Sequence, residues 1–397
     1  MKGLKDNIVI VSAVRTAIGA YGGSLKDISS GHLAAVSIKE AINRAGISPD
    51  KVDEVIMGEV RQSTEASNVA RVAALRAGVP EEATAFTVNR LCASGMQAVA
   101  SGVQQILFGQ ANIVVAGGTE SMSRSPLYLR NARFGGDKPI LVDGNTEAGQ
   151  QPPEIYGDNL GMGITAENIA EKYQISREDQ DAFAIESQRR ASRAIEEGRF
   201  KDEIVPVEVK ERKGTFLFEQ DEHPRPNTTI DKLAKLKPVF KENGTVTAGN
   251  ACGRNDGSTA LVVMKESEAK ALGLKPLARV VDWATAGVSP EIMGIGPIPA
   301  VQNLLKRTGK QIQDIDLVEL NEAFASQSLA VIRELGIDME KVNVNGGAIA
   351  LGHPVGSSGA RIITTLLHEL IKRKQQFGVA TLCAGGGQGM AIMIEQV

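Results

Sequence analysis

Short apolar runs rich in β-branched residues alternate with helix-period segments up to Ala116, and the same alternation returns from Leu277 to the end of the chain. Residues 8–14 read as a strand, and Ala34, Ile38, Ala41, Ile42 and Ala45 then recur at helical spacing before a stop at Gly46. Strands at 54–57, 85–89 and 113–116 follow, with helices at 66–77 and 94–107 between them. The second series reads strand 277–283, helix 299–305, strand 315–320, helix 323–335, strand 342–344, helix 359–371, and strands 379–383 and 390–395. Such an alternation calls for an α/β fold in which a mostly parallel sheet is buried by helices on its faces.

The two series match residue by residue. Val52-Asp-Glu-Val-Ile56 parallels Ile315-Asp-Leu-Val-Glu319, Val88-Asn89 parallels Val342-Asn343, and Ile113-Val-Val-Ala-Gly-Gly118 parallels Ala380-Thr-Leu-Cys-Ala-Gly-Gly386. Duplication of a βαβαβαβ unit is the economical reading; chance likeness between two α/β halves is the alternative. The second copy carries extra residues before its last helix, His353 among them. Between the copies, residues 120–246 break the pattern with Gly, Pro and charge. They hold one strong helix, capped by Ser176 with Asp179 three residues on, and stopped by Gly198. An insertion of this length at a βα junction reads as a cover over a site, or else as surface decoration. The chain therefore divides into 1–119 with 247–274, an inserted 120–246, and 275–397.

A net charge of −3 leaves no basic excess for a nucleic-acid surface, and no apolar run reaches the ~18 residues of a membrane span. The first residues, Met1-Lys-Gly-Leu-Lys-Asp6, show no export signal. Three well-separated cysteines without a C-x-x-C fit reduced thiols, so a cytoplasmic protein is expected. None of the four histidines has zinc-ligand spacing with a cysteine, so no metal is expected. Glycine is abundant, 42 residues, against 4% aromatics, so tight turns and close backbone approaches dominate.

Chemistry concentrates where strands end. Cys92, in Val88-Asn-Arg-Leu-Cys-Ala-Ser-Gly-Met96, sits on a strand-to-helix turn. There the helix N-terminus is expected to lower its pKa and offer N–H groups to an oxyanion. His353 lies in the glycine-rich Asn345–Ala360 loop and has the pKa of a natural base for a thiol. Cys383 ends a strand and precedes Ala384-Gly-Gly-Gly-Gln-Gly389, whose N–H groups suit a backbone pressed on substrate; Asn321 follows another strand end. Two thiols, an imidazole and an amide suit covalent acyl transfer joined to carbanion formation. By these residues alone a cysteine hydrolase stays open, as does the structural reading of a free cysteine as a small buried hydrophobe.

These segments resemble the thiolase family over essentially the whole chain. The resemblance rests on Ile10-Val-Ser-Ala-Val-Arg-Thr16, the Cys92 turn, Ala116-Gly-Gly-Thr-Glu-Ser-Met122 and Gly163-Ile-Thr-Ala-Glu-Asn168. Gly244-Thr-Val-Thr-Ala-Gly-Asn250, Asn321-Glu-Ala-Phe324, the 346–359 loop and Cys383-Ala-Gly-Gly-Gly-Gln-Gly389 complete it. The resemblance implies duplicated αβαβα layers with two mixed, mostly parallel five-stranded sheets and an inserted loop domain, usually assembled as a tetramer of two dimers. It implies an acetyl-CoA C-acyltransferase acting on CoA thioesters, with no separate cofactor. Cys92 takes the acyl group, His353 accepts its proton and Cys383 moves the α-proton. Asn321 with His353 forms one oxyanion hole, and the N–H groups of Cys92 and Gly385 form the other. Coenzyme A contacts carry over to Arg225, Phe240, Ala248, Cys252, Met293, Ala323 and Phe324. Cys252 stands where the family commonly has Ser, and Gly161 where short-chain members often have His; Ala93 and Ala384 replace residues that are often Gly and Ile. A ketoacyl synthase and a non-catalytic lipid- or CoA-binding protein are the rival readings.

Overall fold

The computed structural model describes residues 6–135, 138–146, 149–212 and 214–397; most of the N-terminal signal reading, and Gly136 of the insertion, lie outside them. The first copy comprises β1 (Ile8–Thr16), α1 (Ser30–Ala45), β2 (Glu54–Gly58), α2 (Val69–Arg76), β3 (Thr84–Val88), α3 (Ser94–Leu107) and β4 (Ile113–Ser121). The insertion contributes α4 (Met162–Lys172) and α5 (Arg177–Glu196), besides shorter pieces. Then come β5 (Asn255–Lys265), β6 (Ala278–Gly287), α6 (Pro297–Thr308), β7 (Leu317–Leu320), α7 (Ala325–Leu335), α8 (Val355–Arg373), β8 (Phe377–Ala384) and β9 (Gln388–Gln396).

The strands form one sheet whose main path runs β7-β8-β9-β6-β1-β5-β4-β2-β3. In the first half β1, β2, β3 and β4 point one way and β5 runs against them; in the second, β6, β7 and β8 point one way and β9 runs against them. The halves each keep a mixed, mostly parallel part of it, in keeping with the duplicated layers the resemblance implied. They join edge to edge where Val9 faces Arg279 and Ile10 faces Ala278. The expected strand at 342–344 is reduced to a single bridge from Val342 to Val318. Asn343 there takes φ 45°, and this left-handed residue turns the chain toward the site instead of along the sheet.

Alternation along β1 explains the layering. Ile8 and Ile10 enter an inner core with Met96, Val99 and Val103 of α3, Ile363 and Leu367 of α8, and strand residues of both halves such as Leu261 and Ile392. Val9 and Val11 face the other way, onto Ile38 and Ile42 of α1 and Ala73 of α2. In the second half the outer face packs on α6 and α7 through Leu304 and Leu329. The result is five layers with α3 and α8 in the middle, touched by both halves. Each fully buried Ile or Leu contributes roughly 1.5–3 kcal/mol relative to exposure, which lets α3 form with no side-chain bond at its N-cap, Ala93. The N–H groups of Ala93 and Ser94 donate instead to the Arg90 and Leu91 carbonyls, at 3.1 and 2.9 Å, which closes the turn.

Candidate active site

The two middle helices start against each other. A Cβ on Gly95 of α3 would lie 2.8 Å from the Ala360 nitrogen and 2.9 Å from the Gly356 oxygen of α8. Cys92 and His353 lie three residues before Gly95 and Gly356, so both precede the point where the two helices cross. The turn at Cys92 is built locally. Asn89 Oδ1 accepts from the Leu91 N–H at 2.9 Å, and Ser94 Oγ accepts from the Arg90 N–H at 2.9 Å while donating to the Leu91 carbonyl at 2.6 Å. Leu91 is held at φ 51°, a strained conformation for a branched residue that the turn over-determines.

His353 is fixed at both ends. Its backbone N–H donates to Asn255 Oδ1 at 2.9 Å, and Asn255 in turn donates to the Gly19 carbonyl at 2.9 Å. The preceding Gly352 takes φ 102°, and a Cβ there would meet the Asn255 amide, so only glycine serves. Ser358 Oγ donates to the Pro354 carbonyl at 2.9 Å, so in its 2.6 Å contact with His353 Nδ1 it must accept. That assigns the proton to Nδ1 and leaves Nε2 as a bare lone pair, buried and without a partner. Both polar atoms of the Asn321 side chain are likewise buried and unpartnered. Orphaned groups of this kind mark a place for a substrate oxygen or a water.

The thiols behave differently from the sequence expectation. Burial pushes Cys92 up to about 11, although the Gly385 N–H, its own N–H and Arg61 act in the opposite sense. The helix start is thus outweighed by desolvation, and the resting group is a thiol. The Gly385 N–H is among the groups that favour the thiolate of Cys92. Burial and then Arg361 hold His353 down at about 4, so imidazole rests neutral. Burial also raises Cys383 well above the usual thiol range, with Cys92 and Cys252 adding to it. Cys252 is pushed to about 12, again mainly by burial and then by Cys92. The three sulfurs share one electrostatic neighbourhood.

Beside them opens a cavity of about 610 Å³ whose lining includes Arg225, Phe240, Ala248 and Cys252. Met293, Ala323 and Phe324 do not line it. They pack around Cys383 with Ala166 and Val246, one step deeper. Phe240 and Phe324 meet edge to face, 6.3 Å between centroids, where the two regions join. The segment carrying Cys252 is tied to the Asn321 segment: the Cys252 N–H donates to the Ala323 carbonyl at 3.0 Å and the Ala325 N–H to that of Asn250 at 2.9 Å. Glu167 of α4 accepts from the N–H groups of Thr245 and Val246, which explains the 163–168 and 244–250 motifs as two sides of one clamp. Lys232 also lines the cavity.

Sequence reasoning missed Asn255, Ser358 and His223. The first two act through bonds that only the fold creates. His223 lines the cavity against Gly253, in a stretch whose sole signal was the Pro-rich His223-Pro-Arg-Pro226. Among the described residues no group of three or more His, Cys, Asp or Glu is placed to hold a metal ion.

With this geometry in hand, comparison with known proteins is decisive. Residues 8–267 match the family model "Thiolase, N-terminal domain" and 274–396 the model "Thiolase, C-terminal domain". The chain belongs to the thiolase family. It is 54% identical to the acetyl-CoA acetyltransferase of Escherichia coli strain K12, over 98% of this chain and 99% of that protein. Among solved structures, the Bacillus anthracis acetyl-CoA acetyltransferase superposes with a TM-score of 0.96 at 49% identity, covering 99% of both chains. Human mitochondrial 3-ketoacyl-CoA thiolase in complex with CoA gives 0.94 at 46% identity, covering 99% of this chain and 98% of that one.

Proposed function

We propose that this thiolase is an acetyl-CoA C-acyltransferase that condenses acetyl-CoA with an acyl donor, or splits 3-ketoacyl-CoA, through an acyl-Cys92 intermediate. This reading is carried by the buried, unpaired His353 Nε2 and Asn321 amide and by three electrostatically coupled sulfurs, Cys92, Cys383 and Cys252, the last of which lines the cavity. As the thioester docks, His353 Nε2 takes the Cys92 proton while the sulfur attacks the carbonyl. The negative charge passes to the N–H groups of Cys92 and Gly385, and CoA thiolate leaves with the proton from His353. In the second half-reaction Cys383 passes its proton to His353 Nε2, the resulting thiolate removes the α-proton of acetyl-CoA, and the His353 Nε2–H with Asn321 holds the enolate oxygen. One such donor is worth ~3–4 kcal/mol. The thioester carries the leaving group itself, so no further cofactor is needed.

Mixing the protein with acetyl-CoA should add the mass of one acetyl group to the peptide containing Cys92, read by mass spectrometry, and Cys92→Ala should take up none. A non-catalytic CoA-binding protein requires no adduct, and a ketoacyl synthase would use a second histidine where this chain has Cys383.

Chain length is set near Gly161, which caps α4 beside Met162 of the Cys383 cluster; a Cβ built there meets nothing within 4 Å. The lack of a side chain here, where short-chain members often have His, favours acceptance of longer acyl chains. Gly161→His should lower kcat/KM for a long-chain 3-ketoacyl-CoA more than about tenfold, and for acetoacetyl-CoA less than about threefold. Equal losses on both substrates would place Gly161 outside the acyl pocket.

Leu127, Leu129 and Leu141 on the two-stranded sheet of the insertion are 62%, 60% and 66% exposed, and Phe108 is 79% exposed. Such apolar surfaces support burial against further copies, as in a tetramer of two dimers. No helix among the described residues is long and apolar enough to cross a membrane. A cytoplasmic role in fatty-acid metabolism accords with this reading.

A further inference from the structure

One residue links the cavity to the loop of His353, and two buried side chains hold its backbone, one at the N–H and one at the carbonyl. The N–H of Ile349 donates to Glu322 Oε2 at 3.1 Å, and its carbonyl accepts from Gln188 Nε2 at 3.4 Å. Ile349 lines the cavity and lies four residues before His353. Gln188 Oε1 accepts from the Arg225 N–H at 2.8 Å, at the cavity mouth. Glu322 follows Asn321 directly. Its Oε2 also accepts from Ser187 Oγ at 2.7 Å, and its Oε1 from Asn343 Nδ2 at 2.8 Å. Asn343 grips both backbone groups of Leu320 at 2.8 Å. The Glu322 carboxyl occupies the space a Cβ on Gly347 would need, so the loop closes down on it.

We propose that Glu322 and Gln188 are positioning residues that convert occupancy of the nucleotide end of the cavity into correct placement of Asn321 and His353. Neither residue need meet the reacting thioester. Asn321 has no side-chain hydrogen bond of its own, so its aim depends on the backbone that Glu322 anchors. The first half supplies a control. By the repeat alignment Glu59 follows β2 as Glu322 follows β7, yet Glu59 accepts only from Ser30 Oγ and keeps Oε2 unpaired. A fully bonded glutamate is therefore not demanded by the duplicated fold. At Glu322 the added partners come from α5 of the insertion and from the loop that carries His353. Binding energy from a remote part of the substrate can be used this way to orient groups at the reacting centre.

This inference rests on the acyl-transfer reading, and the test separates the two. Acetylation of Cys92 is followed at saturating acetyl-CoA and at saturating acetyl-pantetheine, which lacks the nucleotide, in wild type, Glu322→Gln and Gln188→Ala. The wild type should acetylate faster with acetyl-CoA; Gln188→Ala should shrink that advantage about tenfold, and Glu322→Gln should slow both donors about 10–100-fold with KM changed less than about threefold. If either variant raises KM while the saturating rates and their ratio stay at wild-type values, these side chains merely bind the coenzyme and the proposal falls. Should Glu322→Gln fail to fold, the rate ratio in Gln188→Ala decides alone. Failure of the wild type to acetylate at all would overturn the acyl-transfer reading instead.

Discussion

Replacing His353 with alanine should slow acetylation of Cys92 at pH 7 by at least about 1,000-fold and make the remaining rate climb about tenfold per pH unit. The sign follows from the resting state. Burial holds the thiol at about 11 and the imidazole at about 4, so between these limits the wild type keeps a neutral thiol beside a neutral base. Raising the pH through this window changes neither group, and wild-type acetylation should be level from about pH 6 to 9. Without His353 the attack depends on the thiolate population, roughly one part in ten thousand at pH 7 for such a thiol. That population grows with pH until it saturates near 11. Rapid-quench acetylation across pH 6 to 9, with the protein in excess of any released CoA, gives both profiles. A level profile for the alanine variant would mean that Cys92 is activated by some other group, with Arg61 a cation that favours its thiolate.

Neutral partners also fit the design of the site better than a preformed thiolate does. An ion pair at rest would need solvation that the inner layer withholds. Charge instead develops during attack, when the Gly385 and Cys92 N–H groups are aimed at it.

Much of this was legible in the sequence because it depends on local periodicity. Helix α3 occupies the residues expected of it, and the strands of both copies other than 342–344 were placed within a few residues, since each is bounded by turn residues of its own. Strand β5 was not read as one, although it lies in the stretch assigned to the first half. Its partners β1 and β4 lie more than a hundred residues upstream, and its buried run Ala260-Leu-Val-Val-Met264 has no crossover helix to announce it. Helix α4 was missed for a related reason. It has no side-chain N-cap, and its register is set by Glu167 reaching to Thr245 and Val246. Cys92, His353, Cys383 and Asn321 stood out because each ends a strand or sits in a glycine-rich loop. Their supporting residues did not. Asn255 serves His353 across 98 positions and Ser187 serves Glu322 across 135, distances at which no local pattern exists. The direction of the Cys92 shift was likewise hidden, because a helix start is visible in sequence and the burial that overrides it is not.

Changing Cys383 to serine should uncouple the two half-reactions. Acetyl-CoA should still load Cys92 to one acetyl group per chain, because the attacking thiol, His353 Nε2 and the Gly385 N–H are untouched. Condensation and thiolysis should then fall by about 10³–10⁴-fold. The cause is basicity. Cys383 is fully buried at the end of β8, and its thiolate, once formed among apolar neighbours such as Met293 and Phe324, is a strong base close to the Cys92 sulfur. A serine hydroxyl fills nearly the same volume but does not ionise in that setting. Pairing of Cys383 with Gly389 on β9 holds the backbone whichever atom the side chain carries, so the fold should survive. The unpaired hydroxyl should cost about 1–3 kcal/mol of stability, and a thermal melt would register it. The decisive reading is exchange of the acetyl-CoA α-hydrogens with deuterated water. Wild type should exchange them and Cys383→Ser should not, while both form the acyl adduct. Exchange at the wild-type rate in the serine variant would take Cys383 out of the proton-transfer step and leave His353 as the only base in the site able to perform it.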